Sequence, residues 1–157
     1  MRATGVSHIA VCVRDLEKSL GFYRDILGMK VKMQATQQMQ GRAGAESAEM
    51  YQGPHEARTM ANVWFEGPNG EELAPFLVLT SHPGDDVGGE PIKLDQIGIS
   101  HISFTVDDVP SVAAELEAKG VPLAGNLSDF TNAQGIVGTI FVYDPDGVLV
   151  QFDQGPR

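Results

Sequence analysis

The sequence is short of cysteine, of basic residues and of long apolar runs, and each shortage excludes something. One cysteine, Cys12, has no partner for an internal disulfide and rules out a Cys-only metal site. Lys and Arg number 11 against 21 Asp and Glu, a formal charge of −10. Such an acidic surface repels phosphate backbones and anionic lipid, so neither nucleic acid nor a membrane surface is an expected partner. The longest apolar stretch near the middle, Leu73 to Leu79, is far below the ~18 residues of a membrane span and contains Pro75. The N-terminal residues have no apolar signal core, which makes the cytoplasm the expected compartment. There is no Walker-type phosphate loop and no G-x-G-x-x-G. His55-Glu56 lacks the second His of a zincin helix, and Gly98-Ile99-Ser100 lacks the closing Gly of a nucleophile elbow. What remains is 157 residues of globular composition, 42% hydrophobic, long enough to bury roughly 68–70% of the unfolded surface.

The chain repeats itself. Ser7-His8-Ile9 recurs as Ser100-His101-Ile102, an offset of 93 (101 minus 8). At the same offset Val13 meets Val106, and Asp15 meets Asp108. Gly67-Pro68-Asn69-Gly70 recurs as Asp144-Pro145-Asp146-Gly147 at an offset of 77 (144 minus 67). The second copy is therefore shorter by 16 (93 minus 77), and the excess falls between about Gln34 and His55.

Each copy reads as strand, helix, then three strands. In the first strand Ile9, Val11 and Val13 oppose His8, Ala10 and Cys12; in the second copy Ile102, Phe104 and Val106 oppose His101, Ser103 and Thr105. Both histidines therefore leave the oily face. A helix follows each strand, with Leu16, Leu20, Tyr23 and Leu27 as the first apolar stripe and Val109, Val112, Ala113 and Leu116 as the second. Asp15 and Asp108 are the expected N-caps, and Gly28 and Gly120 the expected stops. Further strands are expected near 29–35, 58–66 and 71–80, and near 122–125, 135–143 and 148–153. The modules span 1–81 and 98–157, with 82–97 as a Gly-, Pro- and acid-rich linker. The segment 37–55 is a short helix or a lid.

A doubled β-α-β-β-β unit with these words resembles the vicinal oxygen chelate superfamily, which includes glyoxalase I, epimerases, extradiol dioxygenases and bleomycin-resistance proteins. The words are His8-Ile9-Ala10-Val11, Asp15-Leu16-Glu17-Lys18-Ser19-Leu20, Phe22-Tyr23-Arg24-Asp25-Ile26-Leu27-Gly28 and Tyr143-Asp144-Pro145-Asp146-Gly147. The resemblance implies an α+β fold, two tandem modules forming a U-shaped, half-barrel mixed sheet with a cleft. It also implies a divalent metal (Zn, Ni, Co, Mn or Fe(II)) held by the first and last strands of each copy. Carried over, the metal ligands are His8, His101 and Gln151. The fourth position falls on Ala74 by the turn offset or on Val78 by the strand's end, and neither is a carboxylate. A neutral amide is a weaker donor than a carboxylate and leaves the ion's charge uncompensated.

The leading functional expectation is glyoxalase- or epimerase-like lyase or isomerase chemistry on a small oxygenated substrate, through a metal-stabilised enolate. Such chemistry needs a general base, for which Glu72, Asp153 and Glu49 are the candidates. Tyr143, Phe141 and Trp64 are candidate substrate-binding residues besides packing the sheets. One alternative is extradiol dioxygenase-like oxygen chemistry, against which Gln151 counts. The other is a metal-free small-molecule binder resembling the bleomycin-resistance proteins. A homodimer is expected from the same resemblance.

Overall fold

The computed structural model describes residues 2–42, 50–84 and 87–155. The chain forms two compact units, Met1–Gly88 and Gly89–Arg157. Together they are α+β, with two mixed sheets and few helices.

In the first unit, strand β1 (His8–Cys12) leads into helix α1 (Leu16–Leu20). Asp15 caps the helix as expected: its Oδ1 accepts from the Glu17 and Lys18 amides at 3.0 and 3.1 Å. The expected single helix does not run on to Leu27. From Gly21 to Ile26 the turns widen to π geometry, and the Leu27 N–H reaches back to the Phe22 carbonyl at 3.0 Å. The widening buries two adjacent rings, Phe22 and Tyr23, which meet edge-on at 5.0 Å. Gly28 ends the element at φ +77°, a left-handed conformation that costs glycine little.

Strands β2 (Lys30–Gln38), β3 (Ala57–Glu66) and β4 (Glu72–Ser81) complete the sheet, in the order β1-β4-β3-β2. β1 runs parallel to β4; the other pairs are antiparallel. β2 includes Gln37 and Gln38, so the expected insertion begins later than the sequence indicated. One sheet face is closed: Val11, Ala61, Val63, Leu77 and Leu79 are buried, as are Leu16 and Leu20 of the helix. Each buried aliphatic side chain stabilises by roughly 1.5–3 kcal/mol. The other face is open and half-buried. Register stacks it in rungs: His8 beside Phe76; Ala10, Val78, Asn62 and Met33; Cys12, Thr80, Met60 and Ala35.

The second unit contains β5 (His101–Thr105), α2 (Val109–Ala118), β6 (Thr139–Tyr143) and β7 (Leu149–Asp153), with strand order β5-β7-β6. Again the first and last strands are parallel. Three expectations fail. Asp108 makes no side-chain cap; its carboxylate accepts the Ser111 hydroxyl instead. The strand expected over 122–125 shrinks to one bridge, Leu123 to Val142. Its extension is blocked at Gly125 (φ +153°), after which Asn126 and Asp129 cap each other and wind residues Leu127–Phe130 into a 3-10 turn. The strand expected from 135 starts only at Thr139, because Asn132 Oδ1 gathers the Gln134 and Ile136 amides, each at 2.9 Å, into a turn.

Candidate functional site

Both sequence-predicted histidines start an edge strand on the open face of their own sheet. Each has the same supporting partner. Ser7 Oγ lies 3.0 Å from His8 Nδ1, and Ser100 Oγ lies 3.0 Å from His101 Nδ1. When Nδ1–H donates to the serine oxygen, the lone pair sits on Nε2, the nitrogen that can bind a cation. The repeat of this pair is what the Ser-His words encode: in each unit a histidine and the serine beside its Nδ1.

Strand register settles the fourth position. In the second unit His101 pairs with Leu149 and Ser103 with Gln151. In the first unit His8 pairs with Phe76 and Ala10 with Val78. Gln151 therefore corresponds to Val78, not to Ala74. The turn offset misleads because β4 carries extra residues near its start. Phe65 pairs with Leu73 but Val63 with Leu77, so Ala74, Pro75 and Phe76 face Trp64 alone. That bulge lies at the cis Ala74-Pro75 peptide.

In the first unit, then, His8 has aliphatic and aromatic neighbours. Its ring stacks on Phe76 at 5.4 Å, and Phe76 stacks on Trp64 at 4.3 Å. Trp64, a predicted substrate-binding residue, thus belongs to a row of rings that ends in His8. Phe76 is the member the sequence reading missed; its alternation with Val78 and Thr80 was the available signal. Asn62, on the Val78 rung, was also missed, and its Oδ1 is buried without a hydrogen-bond partner. Glu72 lies at the hairpin end of β4, where it pairs with Lys32 Nζ at 2.9 Å. Glu49 lies outside the described residues.

In the second unit His101, Gln151 and Asp153 share one face. Gln151 Nε2 donates to Thr139 Oγ1 at 2.8 Å, which leaves Oε1 as the side-chain atom able to accept. Asp153 is held from both sides: Oδ2 accepts from Ser103 Oγ at 3.0 Å and Oδ1 from the Gly155 amide at 2.6 Å. Phe141 meets His101 edge-on at 5.6 Å, and Phe130 lies tilted against Phe141 at 6.2 Å. Tyr143 is exposed at the hairpin end of the same face.

Taken one by one, His8 Nε2, His101 Nε2 and Gln151 Oε1 fit a divalent cation as neutral donors, and Val78 supplies none. Among the described residues no group of three or more His, Cys, Asp and Glu is placed to hold a metal. No helix of the described residues is long and apolar enough to cross a membrane.

Known proteins resemble this chain over nearly all its length. A lactoylglutathione lyase of Schizosaccharomyces pombe is 30% identical over 93% of this chain, which spans 46% of that relative's length. The trypanothione-dependent glyoxalase I of Leishmania major superposes with a TM-score of 0.62 at 24% identity, covering 96% of this chain and 86% of that one. The fosfomycin resistance protein FosX of Listeria monocytogenes, solved with Mn(II), superposes at 0.57 with 16% identity, over 99% and 95% of the two chains. These two structures share the fold. The family model of the Glyoxalase/Bleomycin resistance protein/Dioxygenase superfamily matches residues 5–152, and the chain belongs to that family.

Proposed function

We propose that the protein is a divalent-metal-dependent enzyme of the glyoxalase or epimerase type, acting on a small oxygenated substrate. The observation that supports this best is the duplicated Ser-His pair, with its 3.0 Å contact to Nδ1 in each unit. A side chain that merely fills space has no reason to keep the same orienting partner in two copies. His8, His101 and Gln151 are the proposed ligands. When bound, the cation supplies Lewis-acid polarisation of the substrate's oxygens.

The proton next to the substrate carbonyl needs an acceptor from the chain. Asp153 is the proposed group: it shares the face of Gln151, and its carboxylate is oriented by Ser103 and Gly155. Glu72 is less suited, being paired with Lys32 beside a turn. Phe141, Tyr143, Trp64 and Phe76 offer ring faces for the apolar part of a substrate. A cytoplasmic homodimer belongs to the same proposal. Oxygen chemistry of the extradiol type is less favoured, since Gln151 brings no anion to balance iron.

The test is metal content of untagged protein, with His8→Ala and His101→Ala measured beside it, and turnover on a panel that starts with the hemithioacetal of glutathione. Stoichiometric metal lost in both variants supports the reading. Trace metal throughout, or variants that bind like the parent, overturns it.

Val78 supports a second reading, a metal-free small-molecule binder. The row His8, Phe76 and Trp64 then serves as a stacking platform. Calorimetry with a chelator present separates the two: ligand binding undiminished by the chelator favours the binder.

A further inference from the structure

The first unit holds a cationic group that its own described residues do not balance. Arg58 lies on the open-face side of β3, with Met60, Asn62 and Trp64. Its register partner is Gln37, and Arg58 Nη2 donates to Gln37 Oε1 at 3.1 Å, a neutral amide. Arg58 Nε is buried and has no hydrogen-bond partner. Among the described residues no carboxylate pairs with this guanidinium, unlike Arg24, Lys32 and Lys119, which each have one.

Two imidazoles stand at the same end of the sheet. His82 follows β4 and is 7% exposed, although its setting in a Gly- and Pro-rich stretch reads as linker. Its Nδ1 lies 3.2 Å from the carbonyl of Ala57, the residue before Arg58. A carbonyl oxygen only accepts, so Nδ1 carries the proton. His55 stacks on His82 at 3.9 Å, and Tyr51 meets the two rings at 5.7 and 6.0 Å. Nothing in the proposed reaction uses any of these residues.

A buried guanidinium N–H without an acceptor is costly, more so than a neutral donor, and calls for a ligand that completes it. The planar fork of arginine matches the paired oxygens of a carboxylate or a phosphate. We propose that Arg58, with the His55–His82 stack beside it, forms a receptor for an oxyanion, the carboxylate or phosphate group of a small molecule. Arg58 lies about 20 Å along β3 from Trp64, so this receptor is separate from the His8 row.

The full chain, labelled with 15N-arginine, is titrated with inorganic phosphate and separately with acetate while the Arg58 Nε–Hε resonance is followed. A saturable shift is expected. A response to phosphate alone assigns a tetrahedral group, to acetate alone a planar one, and to both their shared oxyanion chemistry; each supports the receptor. By calorimetry Arg58→Gln weakens binding at least tenfold, while His8→Ala leaves it unchanged. Where Arg58→Gln does not fold, Arg58→Lys decides, since it keeps the charge and loses the fork: about tenfold weaker binding supports the receptor, and undiminished binding overturns it. No response to either probe, or calorimetric binding by Arg58→Gln equal to the parent's, also overturns it. The His8→Ala arm keeps this outcome distinct from that of the metal proposal.

Discussion

Removing the two serine hydroxyls tests the histidine arrangement most directly. In Ser7→Ala the Nδ1 of His8 loses its 3.0 Å partner, and in Ser100→Ala the same happens to His101. Each hydroxyl is local: it contacts the adjacent histidine. The fold should therefore tolerate both losses, at about 0.5–1.5 kcal/mol or less apiece. The effect on metal should be larger, because an unfixed ring populates the wrong tautomer and wrong rotations. Loss of such an orienting partner typically weakens metal affinity about 10–100-fold. The two serines share no side-chain partner, so the effects should multiply, to about 100-fold or more in the double variant. Competition against a fluorescent chelator measures the affinities, and thermal melting checks that the fold persists. Affinities equal to the parent in both variants would show that the hydroxyls do not support ligands. A loss in one variant alone would refute the equivalence of the two histidines.

Three further outcomes are expected. Gln151→Glu puts a carboxylate on the face of His101 and should raise metal affinity, whereas Gln151→Leu should lower it; the same chelator competition reads both. Gly28→Ala should destabilise by about 1–2 kcal/mol in denaturant unfolding, from backbone conformation alone, since φ is +77° and a Cβ there meets nothing within 4 Å. The Asp25 carboxyl should titrate below the usual carboxylate range, chiefly because Arg24 hydrogen-bonds to it at 2.7 and 2.8 Å, with desolvation opposing. Its stabilising share is thus present above the unfolded pKa and is lost as pH falls through the folded one. NMR titration of Asp25 in Arg24→Gln should return the midpoint toward the unpaired value.

The strand faces were legible because alternation needs only local sequence. His8 opposite Val11, and His101 opposite Ile102, follow from a period of two and a helix stripe to cover the oily side. Pairing partners were less legible. Val78 and Ala74 could not be separated until the bulge against Trp64 was visible, since a repeat offset assumes hairpins of equal length. The bridge at Leu123 failed for another local reason: the reciprocal Asn126–Asp129 cap outcompetes further strand pairing. Asp108 had the right residue type for a cap, but Ser111 takes its oxygen. The stack of His55 and His82 had the weakest signal of all. Its members lie far apart in sequence, and composition hid the fact that the alternation of β4 continues to His82.

One topological feature bears on how the protein assembles itself. β1 and β5 are five-residue strands, each held by a single parallel neighbour that is made last in its unit. Neither can dock until nearly all of its unit has been synthesised and ordered, since pairings between distant segments form late. The imidazoles thus ride on the segments that close each half. Any ion or ligand they grip would latch that closing step, and it should show as slowed amide exchange in those two short strands before anywhere else.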